Sequence, residues 1–544
     1  WIEILPEYKS SGKNISDLDS HDLPGLSSEH IDLFKGLVRG NGETGFIPDH
    51  FLLHEHQTKM LRHSLNGKHC IITSGTGSGK TESFLLPLFA QLSKEMNEWN
   101  SPNDKTDHVD DWWTASSGVR NSDIVDVSNG FVMSDEVRQR GHDTRPGGMR
   151  SMIIYPMNAL VEDQMTRLRT ALDSNPVREW YQQNTNDNSI YFGRYNGATP
   201  VSGELQRIND DGIPEINSTK IAALRRKLCA IENNSKRVEQ YIAEKDLKEK
   251  DANEIRAFFQ RLDCAEMRSR FDMQESPPDI LITNFSMLSI MLMRKVDNKI
   301  FKKTRQWLEC QDIEESERNT ERPNRIFHLI IDELHLYRGT QGTEVAYLLK
   351  MVLKRLGLHP NHPQLKILAS SASLEPGNPK SFQYISDFFG FSGPEDVKNK
   401  FEIITGDDNP VDPVGADTEV LPAEPFSAIA EAYDHGNEDL GNPDFLQVCV
   451  EAGKMIREVM GIASGEVKTI DDFARLLLHP DLLLRERMFG ACRVNDDGKE
   501  KYRPVATFRK ENDGNPGFLP YYFEQIFGTT EDNDKLRMAS RGLL

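Results

Sequence analysis

The chain has 544 residues, with 65 Lys+Arg against 85 Asp+Glu and a formal net charge of −20. Its 37% hydrophobic and 28% charged content excludes collagen-like, disulfide-scaffold and wholly disordered classes and suits a large protein with sizeable cores and polar insertions. No window supplies the ~18 consecutive apolar residues of a membrane helix; the nearest run, Ile280 to Met293, is interrupted by Thr283, Asn284 and Ser286.

The first residues, Trp1-Ile2-Glu3-Ile4, show neither an initiator Met nor the basic and apolar regions of a signal peptide, so the chain reads as a fragment. Residues 1–45 are mixed and form an N-terminal segment laid over a domain. From His69 the pattern turns to alternating strand and helix. Cys70 to Thr73 is a short apolar run ending in a glycine-rich turn, and Lys80 to Met96 reads as a helix. Residues 97–148, rich in Asp, Asn, Ser and Gly, form a surface insertion; its Trp112-Trp113 pair is read as burying against the body or a partner, with base stacking as the alternative. Met152 to Tyr155 is a second strand, followed by a helix from Asn158 to about Leu172. Ser189 to Gly193 is a third strand candidate.

Residues 203–276 are a second insertion, a charged helical excursion in which Glu244/Lys248 and Asp246/Lys250 have i,i+4 spacing. Asp279 to Thr283, Phe327 to Asp332 and Leu365 to Ser370 complete six strands. After Ser373 come linkers rich in Pro, Gly and Asp, then a helical region over about 426–490. Strands alternating with helices predict an α/β fold with a largely parallel sheet flanked by helices.

The six cysteines form no Cys-x-x-Cys pair, which argues for reduced thiols in a cytoplasmic protein rather than a zinc ribbon or disulfide framework. His54 and His56 lack a nearby third ligand, and His359 and His362 flank prolines as turn residues.

Ser74-Gly75-Thr76-Gly77-Ser78-Gly79-Lys80-Thr81 lies between a strand and a helix, the context a phosphate-binding loop requires. Glycines let backbone N–H groups turn inward around phosphate at the positive end of the following helix. Lys80 is placed to reach the β- and γ-phosphates of ATP, and the Thr81 hydroxyl to ligate Mg²⁺. Farther on, Phe327 to Ile331 runs apolar into Asp332-Glu333-Leu334-His335. A strand ending in two carboxylates suits Mg²⁺-dependent NTP hydrolysis, with Asp332 in the metal shell and Glu333 activating the attacking water. The two insertions absorb the wide separation between loop and carboxylates.

Together these residues make the chain resemble a superfamily 2 helicase of the DEAD/DEAH type. Ser74 to Thr81 is similar to motif I, Tyr155 to Gln164 to motif Ia, and Tyr195-Asn196-Gly197 to the element that follows it, with Asn in place of Thr. Asp279 to Asn284 resembles motif Ib, Asp332 to His335 a DExH form of motif II, and Ser371-Ala372-Ser373 motif III. Tyr-Pro-Met-Asn-Ala-Leu and Asp-Glu-x-His-x-Tyr-Arg-Gly resemble the wording of the MrfA/YprA and Hrq-type branch and of large anti-phage defence helicases of the Druantia and DISARM kinds.

The resemblance implies a RecA-like lobe over 46–410, a mostly helical accessory region over 411–544, and an ATP-dependent 3′→5′ DNA translocase. It places Gln57 and Glu82 with motif I around the nucleotide, His335 among the catalytic residues, and Ser371 and Ser373 in coupling. Pro156, Asn158, Thr283 and Asn284 occupy its strand-contact positions, with Arg194 and Arg338 as phosphate partners. Thr283-Asn284 also reads as a helix N-cap before Phe285, and the two arginines as surface ion pairs. No Gln-x-x-Gly-Arg-x-x-Arg pattern follows Ser373, so the arginines of a second lobe are expected elsewhere. The implied roles are a motor of anti-phage defence with protein partners, a repair helicase, or an ATP-gated switch; no membrane partner is expected.

Overall fold

Aliphatic runs of three to seven residues become the strands of one sheet. The computed structural model describes residues 8–406 apart from 41, 43, 76, 101–111, 115–123, 128–129, 134–137, 202, 210–213 and 264, plus short stretches of the remainder, chiefly within 423–454, 493–502 and 535–539. The chain divides into two units, Tyr8–Asp407 and the rest.

In the larger unit the strands are β1 (His69–Thr73), β2 (Ser151–Tyr155), β3 (Phe192–Arg194), β4 (Ile280–Asn284), β5 (Phe327–Ile331), β6 (Leu365–Ser371) and β7 (Phe401–Thr405). Their order is β7-β1-β6-β5-β2-β4-β3, and every pairing is parallel. This is the parallel, helix-flanked sheet that the alternation of strands and helices predicts, with one strand, β7, beyond the six expected. The pleat sends alternate residues to opposite faces. Cys70, Ile72, Ile153, Ile280, Ile282, Ile330, Leu368 and Ile404 join one core, whereas Ile71, Met152, Ile154, Leu281, Leu329, Ile331, Ile367 and Ile403 join the other.

The first core is covered by helices α1 (Ser28–Arg39), α2 (Glu55–Leu65), α3 (Lys80–Met96) and α4 (Asn158–Asp173). Ile15, Leu18, Leu23, Phe34 and Leu37 are buried in it, so the N-terminal segment supplies part of the sheet's cover from Tyr8 onward. The second core is closed by helices Phe285–Met293, Asn298–Leu308, Gly339–Leu356 and Pro379–Phe389.

The two insertions share a small core of their own. Trp112 and Trp113 are buried with Leu205, Leu224, Leu228, Leu262 and Phe271. Trp113 Nε1 donates to Glu232 Oε2 at 2.6 Å, and the Arg268 guanidinium lies 4.7 Å from the Trp113 ring centroid. The charged excursion forms helices Ser218–Lys245 and Glu249–Ala257. The expected i,i+4 pairs straddle a break: Asp246 ends the first helix at φ 49°, and Lys248 caps the second.

In the smaller unit the described residues include helix Ala423–His435 and a hairpin of Arg493–Asp496 with Lys499–Tyr502. The start of the expected helical region is thus helical, and 455–492 lie outside the described residues.

Candidate functional site: the nucleotide loop and its carboxylates

In a parallel sheet, ligands bind beyond the carboxyl ends of the strands, and the predicted motifs gather at that edge. β1 ends at Thr73; the Ser74 amide donates to the Ser371 carbonyl at 3.3 Å, joining motif I to the end of β6. Ser74 Oγ and Ser78 Oγ lie 2.6 Å apart, and Ser78 Oγ donates to the Gly75 carbonyl at 3.0 Å. Gly77 and Gly79 take φ 77° and 72°, the left-handed region that glycine enters without Cβ cost. Helix α3 then starts at Lys80, aiming its N-terminus at the loop. Thr76 lies outside the described residues.

The residues ahead of the loop hold it from beneath. His56 Nε2 donates to the Ser78 carbonyl at 2.7 Å. Gln57 Nε2 donates to the Gly79 carbonyl at 3.3 Å, while its Oε1 accepts from the His54 amide at 2.9 Å. Among the described residues no group of three or more His, Cys, Asp or Glu side chains could hold a metal, and His56 serves the loop instead.

Lys80 Nζ donates to Glu333 Oε1 at 2.9 Å, although the two are 253 residues apart in the chain. Glu333 sits at φ 50°, a conformation that costs a non-glycine residue of order 1 kcal/mol unless its surroundings fix it. Ser370 supplies that fixation. Its hydroxyl accepts from the Glu333 amide at 2.9 Å and donates to Asp332 Oδ1. Burial, with Glu333 as a lesser cause, holds the Asp332 carboxyl above its ordinary range, while the Ser370 hydrogen bond and Lys80 oppose the shift. His335 Nδ1 lies 3.1 Å from Glu333 Oε2 and 3.3 Å from the Ala372 amide, between motif II and the Ser371–Ser373 turn. The Ser373 amide donates to Ser371 Oγ at 3.4 Å.

Thr81 Oγ1 accepts from Gln164 Nε2 at 3.1 Å. Glu82 pairs with Arg167 at 2.5 Å. Arg167 and Ser370 are therefore parts of the site that the sequence did not reveal, and Gln164, the last residue of the motif Ia stretch, takes a role there that its motif did not assign. Tyr8 is another: a Cβ on Gly75 would fall 2.8 Å from its hydroxyl, and one on Gly406 2.7 Å from its ring.

The strand-contact positions are arranged differently. Thr283 is fully buried, and its hydroxyl donates to the Tyr195 carbonyl at 2.8 Å. Asn284 caps the helix that follows, accepting from the Met287 amide at 2.8 Å, which is the N-cap alternative. Arg194 pairs with Glu162, and Arg338 Nη2 donates to Ser373 Oγ at 2.5 Å. Pro156 is half-buried at the end of β2, and Asn158 opens α4 with its side chain outside the described residues.

Comparison with known proteins agrees with this reading. Residues 54–192 match the DEAD/DEAH box helicase family model. The chain is 26% identical over 380 residues to the Druantia protein DruE of Escherichia coli, covering 65% of this chain and 17% of that protein. It is 30% identical over 116 residues to an uncharacterized ATP-dependent helicase of Methanocaldococcus jannaschii, covering 21% of this chain and 14% of that one. The chain thus spans less than a fifth of the length of either relative. Among solved structures, the DUF1998 helicase MrfA bound to DNA and AMPPNP aligns with 89% of this chain and 45% of its own, at 13% identity and TM-score 0.34. The Pyrococcus furiosus Hef helicase domain aligns with 80% of this chain and 58% of its own, at 11% identity and TM-score 0.23. The family match and the DruE similarity make the chain resemble a DEAD/DEAH box helicase.

Proposed function

We propose that this chain is the nucleotide-binding motor lobe of an ATP-dependent DNA helicase or translocase, working 3′→5′ in a bacterial anti-phage defence system. The observation that carries the motor reading is the meeting of Lys80 with Glu333 at 2.9 Å beneath a glycine loop. The similarity to the Druantia protein DruE supports the defence role.

Thr81 and Asp332 offer the hard oxygen donors that Mg²⁺ takes, and few protein ligands suit an ion that keeps waters and phosphate oxygens. When bound there, Mg²⁺ would neutralise charge on the β- and γ-phosphates. Glu333 Oε2 is the group placed to orient the attacking water and take its proton, and Lys80 exchanges its carboxylate partner for phosphate oxygens. Ser371 and Ser373, tied to Ser74 and Arg338, couple the nucleotide to the strand-contact surface. Pro156, Asn158 and the exposed parts of 194–197 and 283–285 form a narrow DNA track. Binding there is expected to be sequence-tolerant and salt-sensitive. Residues 46–410 act as the motor lobe and 411–544 lead toward a second lobe that supplies arginines. Without such arginines turnover falls by roughly 10³-fold or more.

The test is ATPase activity with and without single-stranded DNA, measured on this chain and on the full-length protein. Strong DNA stimulation of the full-length protein, absent from the Glu333→Gln variant, is expected. Full activity in Glu333→Gln would contradict the assignment.

A further inference from the structure

At the opposite end of the sheet, away from the phosphate loop, a cavity of about 350 Å³ opens beside the first residues of β1, β5 and β6. Its walls are unusually rich in cations. Lys366 opens onto it from β6, Lys94 from the last turn of α3, and Lys400 from the end of the helix Pro394–Lys400, with His69, His328 and Gln91 between them.

The lysines are poorly compensated. Lys366 is 9% exposed, and the contact it makes is to the Lys68 carbonyl, at 3.0 Å. Neither Lys366 nor Lys94 forms an ion pair with a carboxylate among the described residues. Lys400 on the rim bonds Asn361 Oδ1 at 2.5 Å and lies 3.6 Å from Asp396. His328 is 2% exposed, and its Nδ1 makes no hydrogen bond to the protein among the described residues. A buried ammonium without a carboxylate is costly unless something neutralises it. Burial accordingly lowers Lys366 to about 8, with Lys94 adding to the effect. His328 is held down to about 3 by burial, then by Lys366. The pocket therefore presents the ammonium groups of Lys366, Lys94 and Lys400 with no carboxylate among its lining residues.

We propose that this pocket binds a small phosphate-type oxyanion, at a site separate from the nucleotide loop. Several donors converging from three elements suit a compact tetrahedral ion that accepts in several directions. The small volume and the burial of His69, His328 and Lys366 favour a free ion over a nucleic-acid backbone.

Titration of the whole chain with inorganic phosphate, followed by calorimetry and thermal melting, tests this. The Lys80→Ala background removes phosphate binding at the loop. Saturable stoichiometric binding is expected to persist in that background, and to weaken by about tenfold when Lys366→Met or Lys94→Met is added. Lys400→Gln, on the exposed rim, is expected to weaken it less and serves if the buried variants do not fold. Absence of saturable binding in Lys80→Ala, or binding unchanged by the pocket variants, would overturn the proposal. So would equal displacement of phosphate by a single-stranded oligonucleotide, which would mark the surface as a strand contact.

Discussion

Lys80 and Glu333 are joined by a hydrogen-bonded ion pair of 2.9 Å across 253 residues of sequence. The pair holds the loop lysine and the water-activating carboxylate at one point before nucleotide arrives, and it must open when phosphate takes the lysine. Glu333→Gln removes the negative charge that competes for Lys80 while keeping the side chain's shape. We expect this variant to bind ATP at least as tightly as the parent and to lose hydrolysis by about 10²-fold or more. Fluorescent-nucleotide titration paired with single-turnover hydrolysis separates the two effects. Lys80→Ala is expected to lose both, because it deletes the phosphate contact itself.

Ser370 stands between Asp332 and the left-handed Glu333, donating to one and accepting from the other. Ser370→Ala leaves the partly buried Glu333 amide and the buried Asp332 carboxylate each short of a partner, at a cost of about 1–3 kcal/mol. The expected signature is a reduced kcat with little change in KM for ATP, since Lys80 and the loop keep their positions. Ser370→Thr retains the hydroxyl and is expected to recover most of the rate. Equal loss in both variants would assign the damage to strand packing.

Two loop glycines have different reasons for being glycine. Gly77 needs its positive φ, yet a Cβ there meets nothing within 4 Å; at Gly79 the same Cβ falls 2.3 Å from Gln57 Nε2. Gly77→Ala is therefore expected to cost about 1 kcal/mol of backbone strain. Gly79→Ala should cost more, displace Gln57 and weaken nucleotide binding by a further factor of about ten. Thermal melting and nucleotide titration of the two variants side by side check the ordering.

The sequence was most informative where structure follows local rules. Strand β1, the glycine turn and helix α3 each carry their own period or composition, and helix Lys80–Met96 has the expected bounds. The buried strands β5 and β6 were legible as apolar runs ending in Asp332 and Ser370, one residue from their observed ends at Ile331 and Ser371. Strand β7 was not: Phe401–Thr405 is five residues of mixed polarity whose strand character comes from pairing with β1. Tyr8 and Ser370 were invisible for a related reason. Neither belongs to a spaced motif, and each acquires its role when distant segments are brought to the same edge of the sheet. The Asp246 helix break shows the reverse case, where charge spacing suggested continuity and a left-handed backbone ended it.

Beneath the sheet, Asp279 is fully buried between two guanidinium groups, with Arg145 Nη2 at 3.3 Å and Arg150 Nη1 at 3.2 Å. It also accepts from the Tyr191 amide at 2.8 Å, and Asp143 pairs with Arg140 at 2.6 Å and Arg145 at 3.4 Å. This network ties residues 140–150 to the start of β4, so it fixes the frame on which β2 and β4 carry their site residues. Asp279→Asn leaves two buried cations undercompensated, and a destabilisation of about 3–5 kcal/mol follows from breaking one side of such a group. The pH dependence has a definite sign. Burial opposes ionisation of Asp143 and Asp279, but their arginine partners outweigh it and hold both below the ordinary carboxylate range. Their contribution is therefore fully present above that range and is lost as pH falls through their depressed values. Glu95 beside Arg150 runs the other way, raised by burial, so its contribution is lost as pH rises. The stability difference between parent and Asp279→Asn should thus be largest near neutrality and shrink on acidification. Denaturant unfolding at several pH values measures it, and a gap that stays constant down to strongly acidic pH would rule out the charged network as its source.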